Sequence, residues 1–223
     1  MVPRGARVAD VGCDHGYLGI YLLREGLAAQ VAAMDLRREP LETARRNARR
    51  FGMEGRMTFT VCDGVSALGP GAVDAVVCAG MGGDTIAGIL AACPWARDPA
   101  VAWILQPQSS GNDLRRWLGE NGFAIRREAL VREGGFLYTA LEARWGTGRP
   151  LSPGEQYASR QLLENDPELV RAYLARVRQG IVRAVDGLAR ARDEGLRDRR
   201  AYYAAALREI TELEEAYANG TGD

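Results

Sequence analysis

Between residue 7 and about residue 145, short β-rich apolar runs alternate with stretches whose apolar positions recur every three or four residues. Arg7–Gly12 (RVADVG) reads as a buried strand, and Tyr17–Glu25 as a helix stopped by Gly26. Gln30–Asp35 is a second strand, followed by a helix that starts at Pro40 and runs to about Phe51. Met57–Cys62, Asp74–Ala79 and Val101–Leu105 are further strands, with helices over Asp84–Ala91 and Asn112–Glu120. The alternation then stops. Phe123–Val131 and Phe136–Ala143 are two β-rich runs joined across Arg132–Gly135 with no helix between them, which predicts an antiparallel hairpin. Trp145–Gly154 is rich in Gly and Pro and reads as a linker. Beyond it, Val170, Leu174, Val177, Ile181, Ala184 and Leu188 keep helical spacing, as do Tyr203, Leu207, Ile210, Leu213 and Tyr217. Glu194–Leu196 can turn the chain between two helices, and Asn219–Asp223 are expected to fray. The pattern predicts an α/β domain over 1–146 and a helical, coiled-coil-like domain over 155–219.

Strands alternating with helices imply a mainly parallel sheet covered on both faces. A parallel sheet closed by an antiparallel hairpin is the layout of Rossmann-like class I methyltransferases; a dinucleotide dehydrogenase more often adds another βα unit.

Composition narrows the options. The four cysteines are scattered without a CxxC pair and His15 is the single histidine, so no zinc site is expected. No apolar run approaches the roughly 20 residues needed to span a bilayer, and no signal-peptide pattern opens the chain. The expected location is the cytoplasm, with no membrane partner. Net charge is zero, which weighs mildly against a nucleic-acid partner but leaves room for local basic patches.

The densest chemistry lies in Asp10–Tyr17 (DVGCDHGY), a glycine turn between a strand and a helix. Its Gly12-xxx-Gly16 spacing differs from the dinucleotide fingerprint, and Asp10 and Asp14 crowd the turn. Carboxylates repel a pyrophosphate but suit a cation carrying a sulfonium and an amino group, which favours S-adenosylmethionine (SAM) over NAD. Asp35 ends the second strand, about 20 residues on, where a carboxylate can accept from ribose hydroxyls. Asp63, followed by Gly64, ends the third and could accept from an adenine amino group. Each acid alone is as readily a helix cap or turn residue; three at successive strand ends point to a ligand. After the fourth strand comes Ala79–Gly80–Met81–Gly82–Gly83–Asp84, whose glycines let backbone approach a methyl donor or a base. Gln106 and Gln108 follow the fifth strand and can bond a base edge or serve as turn polarity.

The run ADVGCDHGYL, the later AGMGG, LQPQ followed by LRRWL and NGF, and the helical tail together resemble the TrmK family of bacterial tRNA (adenine-22-N1)-methyltransferases. The resemblance implies a Rossmann-like catalytic domain, SAM as donor, and a coiled coil that helps hold tRNA. By position it carries Asp10, Gly12, Cys13, Asp14, His15, Gly16 and Tyr17 into the cofactor loop. Asp35 with Leu36, and Asp63–Gly64, fall at the ribose and adenine positions. Ala79, Gly80 and Met81 fall beside the cofactor, with Gly82 and Gly83 toward the substrate. Three departures stand out: only Met1–Arg4 precede the first strand, where the family usually has a helix; Cys13 replaces an expected Ser; and Glu39 stands where Gly is commoner.

Adenine N1 has a free lone pair, so the reaction needs alignment rather than a general base. Asp14, His15 and Asp84 are the candidates for any catalytic role. Candidate tRNA contacts are Gln106, Gln108 and the Arg176, Arg183, Arg190 stripe, which recurs every seven residues. Arg45, Arg46, Arg49, Arg50 and Arg56 form another basic group, and Arg115, Arg116, Arg126, Arg127 and Arg132 a third; a solvated helical face is the plainer reading of each. Three competing readings stay open. They are a methyltransferase for a small molecule or protein, a nucleotide-binding oxidoreductase, and a non-catalytic RNA-binding protein with the same fold. A monomer is favoured over an oligomer.

Overall fold

The architecture follows from strands that are apolar on both sides. The computed structural model describes residues 1–190 and 194–220. Along β1 (Ala6–Val11) and β4 (Ala75–Gly82), neighbouring residues point to opposite faces yet both are buried: Val8 and Val77 on one face, Ala9 and Val76 on the other. Such strands need a layer of helices on each face. One face packs against α1 (Tyr17–Arg24) and α2 (Arg38–Arg50) through Ile20, Leu23, Leu41 and Ala44. The other packs against α3 (Gly83–Ala92) and α4 (Gly111–Glu120) through Ile86, Leu90, Leu114 and Leu118 around Trp103.

With β2 (Ala28–Asp35), β3 (Met57–Val61), β5 (Ala102–Ser109), β6 (Phe123–Glu133) and β7 (Phe136–Trp145), the sheet runs β3-β2-β1-β4-β5-β7-β6. The first five are parallel; β7 is antiparallel to both β5 and β6. The chain winds outward to β3 on one side of β1 and then returns to β4 on the other. That reversal opens a crevice at the carboxyl ends of β1 and β4, the place where such sheets receive ligands.

Two strands run further than their composition suggests. β4 continues to Gly82, through all but the last residue of the AGMGG run, and β5 through QPQS, so segments expected as loops remain in the ladder. The pairing slips between Ala79 and Met81 and again between Met81 and Gly82. This bulge accommodates Gly80 at φ 77° and lies opposite Pro107, which has no N–H to donate.

Helices α5 (Pro167–Arg190) and α6 (Arg197–Gly220) form the expected hairpin, with a 3₁₀ turn at Glu194–Leu196. Residues 221–223 of the segment expected to fray lie outside the described residues. The helical pair does not stand free. Leu130 and Leu137 of the β6–β7 hairpin enter its core beside Leu162, Val170, Leu174, Ile181 and Ile210. Asn165 Oδ1 accepts from Leu130 N–H at 2.9 Å and Asn165 Nδ2 donates to the Glu128 carbonyl at 2.9 Å. The segment expected as a free linker is tied down as well: Glu209 of α6 accepts from Ser152 Oγ at 2.5 Å and from Gly154 N–H at 2.8 Å. No described helix is long and apolar enough to cross a membrane.

Candidate active site

The glycine turn after β1 is forced into shape by its neighbours. Gly12 (φ 68°) and Gly16 (φ 73°) both take the left-handed conformation. A Cβ at Gly12 would lie 2.6 Å from Met81 Cε, and one at Gly16 2.8 Å from Ala44 Cβ, so the turn touches both the β4 bulge and α2. Gly12 and Cys13 N–H both donate to the Met34 carbonyl, at 2.8 and 3.0 Å. Asn47 Nδ2 reaches across from α2 to the His15 carbonyl at 3.0 Å. Asp14, itself at φ 47°, bonds His15 Nδ1 through Oδ2 at 2.6 Å on the exposed rim.

Asp10 is the buried acid of the site. It accepts from the Gly19 N–H, while its Oδ2 has no partner among the described residues. Burial, opposed only by that one bond, pushes its carboxyl up to about 6. Because this is above the unfolded value of 3.8, the folded state binds the extra proton between those limits. The stability involved is therefore fully present below the unfolded value and is lost as pH rises through the folded one, by on the order of 3 kcal/mol. Asp10→Asn is accordingly expected to make the ligand-free protein more stable than the parent at pH 7.5, by up to about 3 kcal/mol. The gain should shrink toward zero near pH 4. Denaturant titrations with parallel pH profiles for the two proteins would contradict this account.

Cys13 sits among the acids rather than opposite them. Burial, followed by the charges of Asp10, Asp35 and Asp14, pushes its thiol up to about 12, so it stays protonated and unreactive. Asp10, Asp35 and Asp14 thus all lie near enough to Cys13 for their charges to act on it. Asp35, at the end of β2, is largely buried and accepts from Arg37 N–H at 3.0 Å through Oδ1. Asp63 is exposed beyond β3; with Gly64 it borders a cavity of about 620 Å³ walled by Val65, Ile89 and Trp95. Large apolar side chains stand exposed around this edge, Tyr17 at 58%, Leu36 at 67% and Val61 at 52%.

The β4 bulge forms the floor on the other side. Gln106 Oε1 accepts from Gly80 N–H at 2.9 Å, so this glutamine staples the bulge, while Gln108 is exposed. Asp84 accepts from Ser110 Oγ at 3.2 Å, linking the start of α3 to that of α4. Gly83 packs directly under the Ser110 carbonyl. Arg176 of α5 borders a small cavity with Gln108, whereas Arg183 and Arg190 are exposed two and four turns further along the helix.

The remaining arginine groups resolve differently from their sequence reading. Arg115 is buried and paired with Glu128; Arg127 pairs with Glu142 at 2.6 Å and Arg132 with Glu168 at 2.8 Å. Arg49 pairs with Glu54 at 2.8 Å, Arg45 lies over the Phe59 ring, and Arg56 donates to the Leu23 carbonyl. These arginines bind their own fold. Met81, Asn47 and Ser110, none singled out by sequence as structural supports, are what hold the turn and bulge in register.

Residues 1–141 match the methyltransferase domain family. The Bacillus subtilis tRNA (adenine(22)-N(1))-methyltransferase is 32% identical over 145 residues, covering 65% of this chain and 61% of that enzyme. The chain thus spans about three fifths of that curated relative in sequence. Structural likeness reaches further. The crystal structure of the B. subtilis m1A22 tRNA methyltransferase TrmK superposes with a TM-score of 0.81 at 26% identity, over 96% of this chain and 94% of that one. A Streptococcus pneumoniae protein solved in complex with S-adenosyl-L-methionine gives a TM-score of 0.77 at 26% identity, over 96% and 94% of the two chains. The likeness to the TrmK structure runs from β1 through the helical pair and is not confined to the matched domain, and the match over residues 1–141 shows that the chain belongs to the methyltransferase-domain family.

Proposed function

We propose that this chain transfers a methyl group from S-adenosyl-L-methionine to N1 of adenine 22 in tRNA, in the cytoplasm. Residues 1–146 would act as the catalytic domain and 155–219 as the helical domain that helps to hold the RNA. The observation that carries the reading is the row of carboxylates at the ends of β1, β2 and β3, set around a glycine turn at the sheet's reversal point. Kinship with TrmK supplies the substrate.

The residues fit the cofactor. A buried carboxylate with an unpartnered oxygen, Asp10, favours a cationic ligand group over solvent. Gly12 and Gly16 keep the turn free of side chains that would fill the approach. Asp35 would accept from ribose hydroxyls and Asp63 from an adenine amino group, with Leu36 and Tyr17 as exposed apolar neighbours of the same sheet edge. When bound, S-adenosyl-L-methionine supplies an electrophilic methyl group on a positively charged sulfur.

The chain's own residues then have a positioning task. The bulge at Gly80–Met81, stapled by Gln106, and the bare backbone of Gly82 and Gly83 let the extruded adenine come close. Extrusion costs roughly a few kcal/mol. N1 attacks with its own lone pair, so neither His15, Asp14 nor Asp84 has to remove a proton. Asp84 and the backbone carbonyls of the bulge can stabilise the positive charge that develops on the methylated base.

Incubation with labelled S-adenosyl-L-methionine and unmodified bacterial tRNA should yield 1-methyladenosine by mass spectrometry, and replacement of the target adenine should abolish it. Cofactor binding without any transfer would sink the tRNA assignment. Asp35→Asn, which keeps the shape but loses the charge-assisted bonds, is expected to weaken cofactor binding about tenfold by calorimetry. An unchanged affinity would remove Asp35 from the ribose role.

A further inference from the structure

A second cavity, of about 200 Å³, opens where β5 ends and α4 begins, and the cofactor reading makes no use of it. Gln108, Ser109, Asn112, Arg115, Tyr173 and Arg176 are among its walls. Its charge pattern is that of an anion site.

First, α4 starts here uncapped. Ser110, in the left-handed conformation at φ 52°, turns its hydroxyl toward Asp84 and no side chain caps the helix. The first-turn N–H groups at Gly111 and Asn112 therefore present the positive end of a ten-residue helix. Second, Arg115 is only 2% exposed, yet its Nε has no partner among the described residues, although Nη2 reaches Glu128 and Nη1 the Gly111 carbonyl. Third, Arg176 comes across from α5 already held in place. Its Nη1 donates to the Leu137 carbonyl at 3.0 Å and its guanidinium lies 5.5 Å from the centre of the Tyr173 ring. Among the described residues no carboxylate lines the cavity; nearby Asp113 is paired with Arg116 at 2.9 Å.

The cavity also begins one side chain away from the β4 bulge, since a Cβ at Gly80 would lie 3.7 Å from Gln108 Nε2. We propose that it binds a backbone phosphate of the RNA next to the target adenosine, which fixes the extruded nucleotide from its backbone side while the bulge meets its base. The proposal rests on the reading of the chain as an RNA methyltransferase.

Asn112→Asp tests it. The new carboxylate is nearly isosteric and favours a helix start, so the fold is kept, but it puts a negative charge where the phosphate would sit. With full-length tRNA in phosphate-free buffer, KM for tRNA is expected to rise roughly tenfold or more while kcat and cofactor affinity change little. The difference should narrow as salt is raised. Arg176→Gln, which keeps a donor toward the Leu137 carbonyl, should raise KM in the same direction. It guards against a disturbance at Tyr202, which Asn112 also reaches. A neutral methylphosphonate at one flanking position of the target adenosine should raise KM for the parent protein and leave Asn112→Asp no worse. Unchanged KM in both variants, with the parent still forming 1-methyladenosine, would overturn the proposal. So would an Asn112→Asp effect confined to inhibition by inorganic phosphate, which would assign the cavity to a free anion. Failure of the parent itself to methylate tRNA despite binding cofactor would instead bring down the reading beneath it.

Discussion

Alanine at Glu128 is expected to lower the unfolding free energy by about 3–5 kcal/mol, enough to unfold a marginal domain. Glu128 and Arg115 are the two members of a fully buried ion pair. The arginine stays charged in the interior because the Glu128 charge and hydrogen bonds raise its affinity for the proton against the opposing effect of burial. Removing the acid leaves a buried guanidinium without its counter-charge. It also releases Ser159 Oγ, which donates to Glu128 at 2.5 Å and ties the helical unit to β6. Chemical denaturation would measure the loss. A change below about 1 kcal/mol would mean that water reaches Arg115 in the native state, and the pair would then count as a surface one. Arg115→Met combined with Glu128→Leu should recover most of the stability, since paired charges replaced by packed apolar groups are often neutral or better. That rescue separates a stranded charge from a simple loss of volume.

Gly83→Ala should leave the protein folded but cost on the order of 100-fold in methyl transfer. The backbone angles at Gly83 suit any residue; space is what excludes a side chain. An added Cβ would overlap the Ser110 carbonyl oxygen, with Ser110 C at 2.9 Å and Ser109 O at 3.0 Å. These are backbone atoms and cannot swing aside as a side chain could. The starts of α3 and α4 must separate by about 1 Å, and a displacement of that size beside the reacting atoms typically costs two orders of magnitude. The expected stability loss is smaller, about 1–3 kcal/mol. Single-turnover kinetics on tRNA, alongside cofactor affinity, would separate the two effects. Wild-type turnover in this variant would show that the bulge is not the reaction floor.

Much of the site was legible because its chemistry is local. Asp10, Gly12, Asp14 and Gly16 lie within seven residues, and their pattern reports on one turn. Asp35 and Asp63 could be placed because each closes an apolar run whose end marks the sheet edge. What escaped was whatever depends on distant partners. The Gln-Pro-Gln run looks like a turn, yet β5 continues through it because the bulge in β4 accepts a proline opposite. Arg115 looks like one of a basic group until β6 brings Glu128 to it from 13 residues away. Arg132 finds Glu168 across 36 residues. Local charge counts cannot foresee such neutralisation, so the arginine groups suggested a broader basic surface than the fold presents. The anchoring of the linker was hidden for a related reason: Glu209, more than 50 residues on, is what fastens Ser152 and Gly154.

The order of the strands also dictates when the sheet can be completed during synthesis. β7 lies between β5 and β6, although it is made last of the three. Until about residue 145 has left the ribosome, the β5 edge has no partner on that side, and the long β6 has nothing to join. A nascent chain halted after α4 would carry Ala102–Ser109 as an open template for strand addition by another copy. The time taken to make the chain from the end of β5 to the end of β7 therefore sets how long that edge stays open in each new molecule.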